Sequence, residues 1–447
     1  MLILLSLGWA CGPDFAPMAS EEGATDDWDD DGSDDDGLDT RGDDDGADES
    51  STGGPPPNCV NIDREPDETC YVEHLIDMRT ELVALSDQTG DGRLDLLLAQ
   101  GFACCADGID EEAPTGLWLF PGNEEGSFDE PELLHETIDH FDWLVPLGPG
   151  PDGTPRMFTQ RRVDVGFLVD SIYGVLAGKT FLNGEPNLPD LDETDLAAAD
   201  LDGDGVLDLA AMEYSAHFAM SGPSGSFEVT DHGMAQVSSL TVLAGDHDDD
   251  GVDDMLLVAS DGTHFTGHWS HTLPGPAPSS IPDADSWTVE VGTYLRADTF
   301  RLLDIDDDGR LDLLTLDRRQ APGTLELLQR RLVVIPGDSG GFASQVETVL
   351  DTNVRAFEPM TATHDGSLRA VVQPEDAPGE LWLMTLSDQL RFSVGARLQL
   401  THPTPGNFNT LAVHVGDING DGHSDFVTRV ASAPHHTTVA VLLSHAE

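Results

Sequence analysis

Apolar residues in this chain come in short, nearly unbroken runs. Leu82-Val83-Ala84-Leu85, Leu94-Asp95-Leu96-Leu97-Leu98 and Leu117-Trp118-Leu119-Phe120 follow one another, and Leu240-Thr241-Val242-Leu243, Leu311-Asp312-Leu313-Leu314 and Val333-Val334-Ile335 repeat the form farther on. Gly, Pro and Asp bound each run, and long apolar helical stretches are absent. Runs this short between turn formers read as strands, and strands apolar throughout read as buried on both faces. The expected class is therefore all-β. The third run of a group leads into a Gly turn, as in Pro121-Gly122-Asn123 before Gly126-Ser127-Phe128 and Pro336-Gly337-Asp338 before Gly341-Phe342, which predicts a hairpin to a fourth strand. The unit is thus four strands, A to D.

An acidic segment separates strands A and B in five units. At positions 1, 3, 5, 6, 7 and 9 the segments read Asp87, Thr89, Asp91, Gly92, Arg93, Asp95; Asp200, Asp202, Asp204, Gly205, Val206, Asp208; Asp246, Asp248, Asp250, Gly251, Val252, Asp254; Asp304, Asp306, Asp308, Gly309, Arg310, Asp312; and Asp417, Asn419, Asp421, Gly422, His423, Asp425. Two degenerate copies, Gly148–Arg156 and Thr361–Arg369, keep only the Asp-Gly turn of this pattern. The seven starts at 87, 148, 200, 246, 304, 361 and 417 are spaced by 46 to 61 residues. Repeats of that size, each one small sheet, are the signature of a β-propeller. The expectation is an all-β, seven-bladed propeller of four-stranded antiparallel blades over residues 59–447. Thr438–Leu443 reads as the third strand of the last blade, and the strand near 69–75 is expected to supply its fourth, because an open edge there would invite pairing with other chains.

The acidic loops fit a hard cation. Calcium takes roughly six to eight oxygen ligands. Positions 1, 3, 5 and 9 offer side-chain oxygens, position 7 a backbone carbonyl, and Gly at position 6 a tight turn. About five structural calcium sites follow. An EF-hand begins alike but needs Glu at position 12 between two helices; here position 12 is Leu98, Ala211, Leu257, Thr315 and Thr428, none of which chelates. The arrangement resembles the FG-GAP or VCBS repeat family, whose propellers occur in integrin α subunits and secreted bacterial proteins. That resemblance implies calcium on the A–B face of the disc and partner binding on the B–C and D–A face.

Charge narrows the partners further. The chain of 447 residues carries 85 acidic against 20 basic residues, a formal charge of −65. That argues against nucleic acid and anionic membrane surfaces, which need positive patches. Met1–Ala10 suits the apolar core of a signal peptide, and Ala10 before Cys11 resembles a bacterial lipoprotein cleavage site, with a plain signal peptide as the alternative. Residues 12–58, rich in Asp, Gly and Pro, have little to bury and repel themselves, so they read as a disordered linker. The expectation is an exported protein held to a membrane only by a lipid, at the outer membrane or cell surface, or else secreted or periplasmic. Export makes disulfides available to Cys59, Cys70, Cys104 and Cys105, which allow three connectivities. Cys59–Cys70 with a vicinal Cys104–Cys105 bridge is the expected pairing, and cross-pairing is the alternative.

No catalytic constellation stands out. Gly337-Asp338-Ser339-Gly340-Gly341 matches the Ser loop of chymotrypsin-like proteases, but it falls where other units have C–D turns and lacks a triad context. His135 and His140 are one residue too far apart for a zincin helix. The expected function is a non-enzymatic adhesion or binding module for a protein or glycan. Arg161, Arg162, Arg318 and Arg319 are candidates for an anion-binding patch on the B–C and D–A face. The alternatives are a polysaccharide lyase or hydrolase, which would gather basic residues in a cleft, or a lectin, which would show Trp or Arg at blade spacing.

Overall fold

The computed structural model describes residues 59–445 apart from 63–68, 101–115, 165–168, 184–194, 213–215, 222–226, 233–239, 261–264, 271–285, 290–299, 321–326, 351–353, 361–368, 403–412 and a few single residues and pairs. Cys11, Cys104, Cys105, Asp248 and the acidic segment 12–58 lie outside the described residues. Every helix or strand among those described is a strand.

The strands form a β-propeller with six four-stranded antiparallel blades, together with one five-stranded sheet and one two-stranded ribbon. In chain order, sheet 1 runs from Leu82–Ser86 through Asp95–Gln100 and Gly116–Phe120 to Glu132–Glu136. Sheet 2 runs from His140–Pro149 to Thr180–Asn183, sheet 3 from Asp195–Ala199 to Phe227–His232, and sheet 4 from Leu240–Gly245 to Ser286–Val289. Sheet 5 runs from Phe300–Leu303 to Val346–Val349. Sheet 6 is the five-stranded one, Val354–Met360 to Phe392–Gln399 with Asn61–Ile62 added at its edge. Sheet 7 joins Val413–Gly416, Asp425–Ala433 and His436–His445 to Cys70–Ile76.

The core explains the unbroken apolar runs. It lies between consecutive sheets, so both faces of each sheet are buried. Leu97, Ala99 and Leu117 of sheet 1 pack with Phe141, Met157 and Leu176 of sheet 2. Their neighbours Leu96 and Leu98 point the other way, into Val427, Val439 and Leu443 of sheet 7. Alternate residues thus serve two cores, which is why alternation of apolar with polar residues is missing.

The same cluster places the last sheet against the first. Cys70–Ile76 is antiparallel to the final strand, from Cys70 opposite His445 to Ile76 opposite Val439. Tyr71 is buried at 3% exposure, its ring 5.2 Å from that of Phe426. The lead-in also ties sheet 7 to sheet 6. Asn61 and Ile62 pair with Leu398 and Arg397, while the Val60 amide donates to the Tyr71 carbonyl at 2.8 Å. The Cys59–Cys70 disulfide locks this bridge between two sheet edges.

A half-buried polar cluster lies among the first strands of the later sheets. Arg301 of sheet 5 donates to Glu358 of sheet 6 through Nε and Nη2. Nearby, His414 of sheet 7 keeps its Nε2 buried without a hydrogen-bond partner. Burial, then the charges of Arg429 and Arg301, push its pKa down to about 4. The folded protein therefore resists a proton that the unfolded chain accepts below its ordinary 6.5. The resulting stability is present above pH 6.5 and is lost as the pH falls toward 4, by about 3 kcal/mol for this one group. In melting curves between pH 7 and pH 4, His414→Leu should gain on the wild type as the pH drops; parallel curves would remove His414 from the acid response.

Candidate metal centre

Each acidic loop joins the first and second strands of its sheet and is built on one hydrogen-bond frame. The position-6 glycines Gly92, Gly205, Gly251, Gly309 and Gly422 all have φ between 82° and 87°, a backbone that only Gly adopts without strain. That turn folds the amides of positions 5 and 6 back onto the two oxygens of position 1. Asp421 and Gly422, for example, donate to Asp417 at 3.0 Å each. The same pair of bonds recurs on Asp87, Asp200, Asp246 and Asp304. The position-7 amides of Arg93, Val206, Val252, Arg310 and His423 donate to the position-5 carboxylates.

Position 9 is the hub of the frame. Asp95, Asp208, Asp254, Asp312 and Asp425 each begin a second strand, and all are buried. Their Oδ2 atoms accept the amides of the position-2 residues Gln88, Leu201, His247, Ile305 and Ile418. In four of them Oδ1 reaches the other turn of the sheet, accepting the amide of Gly122 at 2.9 Å, Ser221 at 2.5 Å, Gly337 at 2.5 Å or Ser444 at 2.6 Å. One carboxylate thus couples the A–B loop to the end of strand C. The spacing pattern identified these acids but not their partners Ser221 and Ser444, which carry no motif of their own.

Burial sets their electrostatics. It pushes Asp208 up to about 7 and Asp312 and Asp425 up to about 6, against the pull of the amides they accept, and it raises Asp95 as well. Burial and then the neighbouring Asp204 raise Asp202; burial and then Asp308 raise Asp306. Hydrogen bonding to the Arg93 amide lowers Asp91.

Carboxylate oxygens of Asp200, Asp202 and Asp208 lie within 4.8 Å of one another, and so do those of Asp304, Asp306 and Asp312. An all-oxygen set held this close by backbone amides fits a hard divalent cation such as calcium. The other loops are less acidic or less complete. In the first, the Arg93 side chain pairs with Asp91 at 2.6 Å and position 3 is Thr89. In the last, Asn419 gives its Nδ2 to the Ser444 carbonyl at 2.7 Å. The Asp246 loop has its position-3 residue, Asp248, outside the described residues. Position 12 lies in a buried strand in all five, at Leu98, Ala211, Leu257, Thr315 and Thr428, with no helix beside it.

The loops of sheets 3 and 4 also touch each other. The Asp200 amide donates to Asp253 Oδ2 at 2.8 Å, and the Asp253 amide donates to the Asp200 carbonyl at 2.9 Å. Asp253 stands at position 8, where the other loops have Leu or Ser, and its acidity is hidden in an already acidic stretch.

The expected arginine patch is corrected at one member. Arg161 is 5% exposed and lies between sheets 1 and 2, where it donates to His135 Nε2 at 3.0 Å and stacks over Phe181 at 5.2 Å. Packed in a joint between sheets, it offers no open surface to a ligand. Arg162, Arg318 and Arg319 lie in strands, with Arg318 opposite Arg330 and Arg319 opposite Gln329.

No described protein family and no curated protein matches the chain. Among solved structures it is similar to BBS1N, crystallised in complex with ARL6DN, at 12% identity and a TM-score of 0.45, over 86% of this chain and 97% of that one. It is also similar to rhamnogalacturonan lyase YesW, at 13% identity and a TM-score of 0.43, over 88% and 76%. The Bacillus licheniformis rhamnogalacturonan lyase PL11 follows at 13% and 0.42, over 86% and 75%. At these values neither the complex with ARL6DN nor the lyase activity transfers to this chain.

Proposed function

We propose that this chain is an exported, calcium-stapled propeller of the FG-GAP or VCBS type that acts as a non-enzymatic binding module for a protein or glycan. In this reading the five-stranded sheet is a seventh blade, its fifth strand being the short Asn61–Ile62 pairing. The observation that carries it is the single hydrogen-bond frame shared by five loops, with three carboxylates converging in two of them. The ions would be held by positions 1, 3, 5 and 9 and would neutralise carboxylates that otherwise repel. Because that work is structural, the partner is assigned to the opposite edge, formed by the B–C and D–A loops. Residues 12–58 would act as a stalk, and Cys11 would carry a lipid anchor.

The test is a glycan and protein array probed with the chain in calcium and in chelator. The expected result is a ligand retained in calcium, lost in chelator, and left chemically intact. Release of unsaturated oligosaccharides from an acidic polysaccharide would replace this reading with the lyase alternative.

A further inference from the structure

The degenerate segment Gly148–Arg156 occupies, in sheet 2, the place of an acidic loop. Its turn survives: Gly153 has φ 80°, and its amide donates to the Gly150 carbonyl at 2.8 Å. Two of its substitutions belong together. Position 3 is Gly150, and position 9, a buried Asp in the five acidic loops, is Arg156. A Cβ on residue 150 would stand 3.0 Å from Cδ and Nε of Arg156, so a carboxylate at position 3 would displace the arginine stem.

Arg156 is 4% exposed. Its guanidinium crosses to sheet 3, where Nη1 donates to Ser221 Oγ at 2.9 Å and Nη2 to the Leu207 carbonyl at 3.2 Å. It also lies 5.7 Å from the centre of the Phe227 ring. Ser221 is the residue whose amide holds Asp208, the hub of the next loop. Asp208, Asp152 and Asp204 are the acidic groups whose charges act on the guanidinium. Its Nε is buried without a hydrogen-bond partner, a cost that needs compensation from these charges.

We propose that Arg156 is a built-in cation which takes over, at the joint between sheets 2 and 3, the neutralising role of the ion in the acidic loops. The segment is then not a lost site but an exchange of metal for guanidinium. The sequence of the second degenerate copy carries the same exchange: its position 9 is Arg369, the first residue of the second strand of sheet 6. The contrast with an ion rests on the calcium reading above; the stabilising role of the charge does not.

The experiment compares the full chain with Arg156→Met and Arg156→Lys, by melting in chelator and in calcium and by calcium titration. Arg156→Met should lose about 5 °C in both conditions, while Arg156→Lys keeps at least half of that. Removing a positive charge beside Asp208 and Asp204 should also tighten one calcium site by roughly fivefold in Arg156→Met, with Arg156→Lys unchanged. Equal losses in the two variants would reduce Arg156 to a space-filler and overturn the proposal, as would a Met variant that melts like the wild type in chelator. If Arg156→Met fails to fold, Arg156→Lys decides alone: a loss under about 3 °C supports the proposal and a collapse overturns it. A wild type indifferent to calcium would sink the calcium reading while leaving the comparison in chelator decisive for Arg156.

Discussion

Chelating divalent cations at pH 7.5 is expected to lower the melting temperature of this protein by about 15 °C, and added calcium to restore it. The size follows from linkage: each site held at about a hundred times its dissociation constant contributes roughly 2.7 kcal/mol, and as many as five sites act on one cooperative fold. The pH dependence makes the result diagnostic. Asp208 stands at about 7, and Asp312 and Asp425 at about 6, against 3.8 in the unfolded chain. Without metal the folded state therefore binds more protons than the unfolded state between pH 3.8 and 7. Stability from these groups is fully present below pH 3.8 and is lost as the pH rises through 6 and 7. These three groups should accordingly make the chelated protein more stable at pH 5.5 than at pH 7.5 by about 3 kcal/mol, of which His414 takes back about 1 kcal/mol.

Calcium should reverse the sign, because an ion held by these loops would bind the carboxylate form and be displaced by protons. Calorimetry at four combinations of pH and metal measures both slopes. Melting curves that coincide with and without chelator at pH 7.5 would remove the staple role altogether.

Much of this was legible in the sequence because the same pattern of strand, acidic loop and strand recurs along the chain. The apolar runs marked strands A and B, and the Asp-Gly turn at position 6 located the A–B loops to the residue. What sequence could not supply is which groups complete each loop. Ser444 holds Asp425 through both its amide and its hydroxyl, and it lies 19 residues away in sequence, near the end of the adjacent strand. Arg161 looked like a surface cation because charge is usually exposed; its burial depends on Phe181 and His135, contributed by two different sheets. Arg156 looked like simple loss of an acid, and only the closeness of Gly150 reveals the compensating pair. Long-range partners of this kind leave no local pattern.

Deleting residues 59–76 is expected to destabilise the protein more than chelation does, because it strips a strand from sheet 7 and a bridge from sheet 6 at once. Seven residues, Cys70 to Ile76, pair with the last strand. Their removal exposes the unpaired edge of His436–His445, whose Val439, Val441 and Leu443 are buried in the intact protein, and such an edge is a template for pairing between chains. Tyr71 leaves a gap in a core that includes Phe426, Leu442 and Leu381, and such a loss alone costs about 3–5 kcal/mol. The Thr401 amide and hydroxyl lose Glu73 as their acceptor. The truncated chain should therefore be recovered as aggregate, or as a species with a melting transition more than about 20 °C lower. A synthetic peptide of residues 59–78 supplied during refolding should restore a monomeric, cooperatively melting protein by adding its strand to the open edge. The comparison separates closure of the sheet from generic loss of chain: a shuffled peptide of the same composition should rescue nothing. A truncated protein that remains monomeric and melts with the parent would mean that sheet 7 is stable with three strands, and that the pairing of Cys70–Ile76 with His436–His445 contributes little to the fold.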